Sequence, residues 1–308
     1  MNIQKYVSHL KENWASGLTV ALISLPLSIA LSIASGAGPL PGLVTGIWAT
    51  LIGAILGGSH FNIIGAAGAL TTVLFASTLS APFGGGPAVL PLLALATGFI
   101  IFLVWLLKLD RYLYYIPSSV MYGFAAGVAV LIAASQLFDA SGLSSLARTG
   151  SLVGDLQTFF LHTGDIHVSS AVTFFVFLMG ILLWKRFVRK IPAVIPAAAL
   201  GVVYGFFEST VLSTGIVSLG EKFGTFSTTL VLPVSWDLIV RIGTSYESFM
   251  WLLETSALVA LIAVLETLIT AKIGDKLTQR ESSSSRELLG LSLANIGSGF
   301  TGGLPATG

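Results

Sequence analysis

The sequence predicts an all-α polytopic membrane protein, and three observations support this class. Of the 308 residues, 54% are hydrophobic and only 9% are charged, whereas soluble domains carry about 25% charged residues. The mean hydropathy is +0.91. Several apolar stretches reach the ~20 residues that a helix needs to cross a bilayer. The absence of cysteine excludes disulfides and thiolate metal sites, and a net charge of +1 argues against a nucleic-acid partner.

Nine helical segments are predicted along the chain, and the ninth is shorter and less apolar than the others. They cover residues 17–35, 40–57, 63–79, 87–107, 116–137, 168–189, 192–208, 247–272 and 286–300. The first segment resembles a signal peptide at its start, but its apolar run continues without a cleavage site, so we expect it to remain a membrane helix. The polar, Gly- and Ser-rich segments 139–168 and 221–241 are predicted to be loops outside the membrane.

The distribution of basic residues indicates the orientation of these helices. With a cytoplasmic N-terminus, twelve of the 15 Lys and Arg residues fall on the cytoplasmic side. The three on the other side are Arg148, Lys222 and Arg241. This asymmetry fits the positive-inside rule with eight crossings before Lys272. A multi-pass protein of the cell inner membrane with a cytoplasmic N-terminus is therefore expected.

Small residues at helical spacing predict close helix packing. The second segment carries such a stripe at Gly42, Gly46, Gly53 and Gly57. The fifth segment repeats the pattern at Gly123 and Gly127. Stripes of this kind let two helix backbones approach closely in a membrane. They predict packing and imply no ligand.

Glu266 is the strongest functional signal in the sequence, because it lies in the otherwise apolar segment 256–271. A charge at bilayer depth costs at least about 2.5–3.5 kcal/mol on insertion scales, so an intramembrane acid indicates a functional site by default. Thr270 lies four residues further on and shares its helix face. This pair suits an ion or proton site. A hydrogen bond that packs two helices is the alternative explanation.

Two stretches of small residues predict broken helices. Gly65-Ala66-Ala67-Gly68-Ala69 precedes the apolar part of the third segment, and Gly302 to Gly308 follows the ninth. Irregular backbone at membrane depth is tolerated only where it is buried in protein or lines a cavity. The free amides that open a half-helix attract an anion without any basic side chain. Gly/Pro-interrupted segments in corresponding places of two halves indicate a transporter binding site.

These residues resemble the SulP (sulfate permease) family of anion transporters. The resemblance rests on residues 25–30, 34–36, 57–65, 265–272, 286–290, 294–296 and 302–308. The last stretch, GGLPATG, is specific to the family. The resemblance covers the whole chain.

The resemblance implies a seven-plus-seven inverted-repeat fold with core and gate domains. On that map, residues 1–16 form a cytoplasmic N-terminus, 17–208 the first repeat, 209–246 an extracytoplasmic loop, and 247–308 the start of a second repeat. We expect the second repeat to be incomplete here, so that the chain is truncated after the start of the tenth helix. A STAS domain is usual in the family, and the full-length protein is expected to be a homodimer.

The resemblance also implies the site residues. The family binds its anion between the starts of the third and tenth helices, which here selects Gly65, Ala66, Ala67, Gly68, Ala69, Ala306, Thr307 and Gly308. The coupling-ion residues are Glu266, Thr270 and Gly308. Sodium-coupled members have Asp where this chain has Glu266. The coupling ion can therefore be Na⁺ or H⁺, because burial disfavours the charged form of a carboxyl group. No other cofactor or metal is expected.

The expected function is secondary active transport of sulfate or bicarbonate, coupled to H⁺ or Na⁺ by an elevator-like alternating-access movement. One alternative is a nucleobase/H⁺ symporter of the same architecture. Another is a non-transporting or truncated membrane protein. An enzyme is not expected, because the predicted helices hold no nucleophile–base pair and no phosphate-binding loop. The expected partners are the inorganic anion and the lipid bilayer.

Overall fold

The computed structural model of the protein describes residues 3–109, 111, 118–143, 146, 151–188, 191–208, 219–224 and 229–308. Within these residues there are twelve α-helices and no β-strand. In chain order the helices are α1 (Ile3–Ala34), α2 (Pro39–Leu56), α3 (Gly68–Leu79), α4 (Leu90–Leu106), α5 (Ser118–Ala140), α6 (Leu152–Leu161), α7 (Val168–Phe187), α8 (Val194–Phe207), α9 (Leu219–Phe223), α10 (Trp236–Thr244), α11 (Tyr246–Thr278) and α12 (Ser284–Phe300).

Six of the described helices are long and apolar enough to cross a membrane. They are α1, α2, α4 with the short 3₁₀ turn before it, α5, α7 and α11. Three further apolar helices, α3, α6 and most of α8, are shorter. The prediction of an all-α, multi-pass membrane protein is confirmed.

Each of the nine predicted helical segments contains a helix, whereas the two predicted loops are only partly irregular. The loop at 139–168 contains α6, which begins where the Ser151 hydroxyl accepts a hydrogen bond from Gly154 N at 3.1 Å. The loop at 221–241 contains the end of α9 and the start of α10. The prediction missed α10 because it is short and amphipathic: Leu238 and Ile242 are buried, and an Asp237–Arg241 ion pair lies on its exposed face. Residues 209–218 and 225–228 of the predicted extracytoplasmic loop lie outside the described residues.

The chain divides into two compact units. The first comprises Met1–Leu27, Phe138–Leu146 and Gly164–Gly224. Within it α7 and α8 pack together: the hydroxyls of Thr173 and Tyr204 lie 3.2 Å apart, and the ring of Phe177 meets that of Tyr204 edge-on. The Trp184 indole, near the end of α7, donates to Ile191 O, shortly before α8, at 3.1 Å.

The second unit comprises Ser28–Leu137, Ala147–Thr163 and Thr225–Gly308. Its central helix is α12, which packs most extensively against α4 and α2. Gly98 of α4 allows this approach, since an added Cβ would lie 2.8 Å from Ser292 O. The Ser292 hydroxyl donates to Gly98 O at 2.9 Å. Two clusters of buried apolar side chains form the core of this unit, one drawn from α3, α4, α10 and α11 and the other from α2, α4, α11 and α12.

The first predicted glycine stripe packs as expected, and the second does not. An added Cβ at Gly42 would overlap the backbone of Ser28, and one at Gly53 would lie 2.8 Å from Ile64. At Gly123 and Gly127 of α5 an added Cβ would meet nothing within 4 Å. The prediction of close packing at this second stripe is therefore wrong for the described residues. Spacing alone places residues on one face of a helix and does not say what covers that face.

The third predicted segment is broken as the sequence suggested. Helix α3 begins only at Gly68, and the preceding residue Ala67 is extended, with φ −132° and ψ 145°. The segment after α12 is also non-helical from Gly303 to Gly308. These two irregular segments belong to the same unit.

Candidate functional site

The two irregular segments meet in one short antiparallel bridge. Gly65 N donates to Thr307 O at 2.9 Å, and Thr307 N donates to Gly65 O at 3.0 Å. The pairing satisfies the backbone groups of Gly65 and Thr307 without a sheet, which is how irregular chain can be accommodated inside a membrane protein. The predicted site residues 65–69 and 306–308 therefore lie side by side.

Helix α12 and α2 hold the second segment in place. The Asn295 side chain donates to Ala306 O at 2.9 Å and accepts from Ala306 N at 2.8 Å. Asn295 thus acts as a backbone partner would in a β-ladder. Further along, Leu304 N donates to the Thr45 hydroxyl at 2.6 Å, and the Ser298 hydroxyl donates to Leu304 O at 2.6 Å.

Helix α11 holds the last two residues of the second segment, Thr307 and Gly308. The hydroxyls of Thr267 and Thr307 lie 3.1 Å apart, and Gly308 N donates to the Thr267 hydroxyl at 2.9 Å. Thr267 is fully buried. Thr267 directly follows Glu266 in the chain. Helix α11 therefore places the predicted acid next to the segment 306–308 that is predicted to bind the anion.

The two segments differ in the amides that they leave open. The amides of Ala306, Thr307 and Gly308, all predicted to bind the anion, are already bonded to Asn295, Gly65 and Thr267. Within the described residues, the amides that open α3 have no such partner, and no side chain caps the helix. These open amides belong to Ala66, Ala67, Gly68 and Ala69. Because a helix N-terminus carries partial positive charge, this end of the pair is the one suited to an anion.

Glu266 lies half-buried on α11, beside Thr307. Its Oε2 atom is buried and has no hydrogen-bond partner among the described residues. The Thr307 side chain interacts with the same carboxyl group. No Lys or Arg in the described part of the chain forms an ion pair with it. A buried carboxyl oxygen without a partner is costly, so this atom is suited to a cation or a proton.

Thr270 gathers oxygen acceptors around one hydroxyl. Its Oγ1 lies 2.9 Å from Glu266 O and from Thr267 O, 2.8 Å from Gly308 O and 3.2 Å from Asn62 Oδ1. A hydroxyl has one hydrogen and can donate to only one of these four oxygens at a time. Asn62 Nδ2 also donates to Thr267 O, at 3.3 Å, so the cluster holds more acceptors than donors. Hard cations prefer such carbonyl and hydroxyl oxygens.

The sequence analysis missed two polar residues beside this cluster, Asn62 and Glu287. Glu287 is 2% exposed, and its Oε2 accepts from the amides of Gly58 and Ser59 at 2.8 Å each. Its Oε1 accepts from Asn62 Nδ2, also at 2.8 Å. An acid in the first turn of a helix is usually solvated, so no local pattern indicates that Glu287 is buried. In the described residues, no group of three His, Asp or Glu side chains could hold a metal ion.

Comparisons with known proteins relate the chain to anion transporters. The sequence profile of the Sulfate permease family matches residues 10–308. The chain is 26% identical over 308 residues to YvdB of Bacillus subtilis (strain 168), covering 100% of this chain and 55% of that protein. It is 27% identical over 301 residues to the bicarbonate transporter BicA of Picosynechococcus sp. (strain ATCC 27264 / PCC 7002 / PR-6), covering 95% and 50%. The chain thus spans about half the length of these curated relatives.

Solved structures agree with this relationship. The transmembrane domain of a cyanobacterium bicarbonate transporter BicA superposes with a TM-score of 0.74 at 25% identity, covering 95% of this chain and 72% of that one. The structure of SLC26A9 superposes with a TM-score of 0.76 at 18% identity, covering 94% and 48%. The second likeness concerns the fold alone.

Proposed function

Because the chain belongs to the sulfate permease family, we propose that it serves the secondary active transport of an inorganic anion, sulfate or bicarbonate, across the inner membrane. The observation that carries this proposal is the Gly65–Thr307 bridge, which brings the open amides of α3 and the acceptor cluster of α11 into one site. The two candidate anions come from the relatives, because YvdB is described as a putative sulfate transporter and BicA as a bicarbonate transporter.

In this proposal the anion binds at the start of α3. The amides of Ala66, Ala67, Gly68 and Ala69 would donate to its oxygens, with the helix dipole stabilising the charge. Thr307 would contribute by holding Gly65 through the bridge, and neither Thr307 nor Gly308 would donate its own amide, because both are already engaged. The flanking side chains Leu31 and Ile132 pack against Gly68 and exclude water from one side.

The coupling cation would bind at Glu266, Thr270 and Gly308. The donor-poor oxygens around Thr270 support Na⁺, because each of them can face a cation without a hydrogen between them. The unpartnered Oε2 of Glu266 would supply the negative charge. H⁺ is the second candidate, and the same atom supports it, since a protonated carboxyl needs no counter-ion.

Occupancy of the two sites together would decide when the protein moves. A buried carboxylate without its cation is costly, so an elevator-like movement of the helices that carry the site would be favoured with both ligands bound and disfavoured with the anion alone. We place the N-terminus in the cytoplasm on the basis of the charge asymmetry. We also propose that the full-length protein is a homodimer.

Uptake into proteoliposomes of the full-length protein tests this function. Labelled sulfate, bicarbonate and uracil would be offered separately, with either a Na⁺ gradient or a pH gradient imposed. We expect uptake of one of the two anions, driven by one gradient. Uptake of uracil driven by the pH gradient would favour the nucleobase symporter instead, and no uptake of any substrate would favour a non-transporting protein.

A further inference from the structure

We propose that Glu287 is a positioning residue for the coupling-cation site and acts on that site through Asn62. Neither residue belongs to the predicted site. Glu287 lies in the first turn of α12, and Asn62 lies in the extended segment before α3. The inference rests on the proposed function, because it assumes that a cation binds beside Thr270.

Glu287 anchors the segment between α2 and α3. Its Oε2 accepts the amides of Gly58 and Ser59, and Ser283 N donates to Gly58 O at 3.1 Å. The contact is close because Gly290 lies against Gly57, where an added Cβ would be 2.7 Å from the Gly57 Cα. The carboxylate is thus held rigidly by backbone donors that cannot rotate away.

The other oxygen of Glu287 sets the orientation of the Asn62 amide. An ionised carboxylate only accepts hydrogen bonds, so the Asn62 Nδ2 must face Glu287, at 2.8 Å. The Asn62 Oδ1 must then face the opposite way, where it lies 3.2 Å from the Thr270 hydroxyl. Gly308 lies directly against the same amide, and a Cβ there would overlap it. Asn62 therefore presents its oxygen to the Thr270 hydroxyl, while its Nδ2 atom also donates to Thr267 O at 3.3 Å.

Glu287→Gln tests this relay by changing one atom. The two backbone amides would keep the substituted oxygen at their side, so the new NH₂ group would face the NH₂ group of Asn62. Asn62 would relieve this clash by turning over, which would point its NH₂ group at Thr270 and repel a cation. We expect the half-saturating Na⁺ concentration to rise about tenfold, as for the loss of one good hydrogen bond or ligand. The maximal uptake rate at saturating Na⁺ should stay within about twofold.

Exchanging the carboxylate of residue 287 and the amide of residue 62 distinguishes an effect on the orientation of residue 62 from a general loss of structure. Asn62→Asp alone would place two carboxylates face to face and should also weaken Na⁺ binding. Glu287→Gln combined with Asn62→Asp restores one amide and one carboxylate, with an oxygen again facing Thr270. We expect the double variant to recover a half-saturating Na⁺ concentration within about threefold of wild type. Glu281→Gln, which removes an exposed charge six residues before Glu287, is the matched control and should change nothing.

Na⁺ binding can also be measured independently of transport. The measurement is the Na⁺-dependent rise in melting temperature of the full-length protein in detergent, with choline as the reference cation. If the wild type shows this rise and transports neither anion, the proposed function fails while the relay is still measurable in the variants. The inference is overturned by an unchanged half-saturating Na⁺ concentration in Glu287→Gln, by failure of the swap to restore it, or by a wild-type protein that shows no Na⁺ effect at all.

Discussion

The two extended segments that meet at the Gly65–Thr307 bridge have similar compositions and opposite hydrogen-bonding states. Every amide of the segment 304–308 that carries a hydrogen is bonded within the protein, from Leu304 to Gly308. Among the described residues, the four amides that follow Gly65 have no protein partner.

The difference lies in the neighbours of each segment. Polar side chains of α2, α11 and α12 line one segment: Thr45, Thr267 and Asn295. The other segment faces the apolar side chains of Leu31 and Ile132 at Gly68. Small residues therefore permit an unwound chain, and the surroundings decide which unwound chain can still bind a ligand. We assign the anion to the open segment and the cation to the acceptors beside the satisfied one.

Replacing Glu266 should produce the largest effect. Glu266→Gln keeps the shape of the side chain and removes the charge that would neutralise a cation. We expect coupled uptake to fall at least about 100-fold, since a buried charged partner contributes several kcal/mol. Uptake of labelled anion under the driving gradient measures this, with membrane insertion checked in parallel. Glu254→Gln, an exposed acid on the same helix, is the control. Normal uptake in Glu266→Gln would remove this residue from the mechanism.

A substitution of Asn295 would test how much its two hydrogen bonds to the Ala306 backbone stabilise the segment 304–308. Asn295→Leu removes both side-chain bonds to Ala306 and leaves two buried backbone groups unsatisfied. The free energy of unfolding should therefore decrease by about 2 kcal/mol or more. A lowered melting temperature in detergent would report this. Gly127→Ala, in open space on α5, should leave the melting temperature unchanged or slightly raised. Equal stability of the two variants would argue that the bonds of Asn295 contribute nothing.

A bulky side chain at the open segment should affect the anion alone. Ala67→Leu adds three carbon atoms at the N-cap of α3, where the anion would sit. We expect the half-saturating anion concentration to rise at least about tenfold, as for an overpacked site. The half-saturating Na⁺ concentration should stay within about twofold. An unaltered affinity for the anion would contradict binding at the α3 amides.

Removing the Thr270 hydroxyl should have the smallest effect of the four changes. It should alter the affinity for the cation and leave the affinity for the anion unchanged. Thr270→Val preserves the shape of the side chain and should raise the half-saturating Na⁺ concentration about five- to tenfold. Thr278→Val is matched to it, because that hydroxyl only bonds back to Gly274 O at 2.7 Å on the same helix. If both variants behave alike, the Thr270 hydroxyl is structural.

Local signals in the sequence predicted the helices and the two breaks, because hydropathy and small residues act through nearby chain. Glu266 was found for the same reason: its cost depends on the apolar residues beside it. Helix α10 was missed because its two buried residues contact an apolar core that is assembled from distant helices. The stripe at Gly123 was misjudged because periodicity cannot report what lies opposite.

The occupied amides and the Glu287–Asn62 contact could not be predicted from local sequence. The Glu287 side chain meets residues more than 220 positions earlier in the chain. Likewise, the Thr45 hydroxyl reaches Leu304 across 259 positions. Hydrogen bonds of such separation depend on how helices pack, and the residues that make them look like ordinary polar positions near helix ends.

The most direct test of the assignment is a structure of the full-length protein with Na⁺ and selenate, an oxyanion whose selenium can be located by anomalous scattering. Our account predicts selenium beside the amides of Ala66 to Ala69, with the amides of Ala306 to Gly308 still bonded to Asn295, Gly65 and Thr267. Selenium on the other side of the bridge, with those bonds broken and the amides of Ala306 to Gly308 facing the anion, would contradict it.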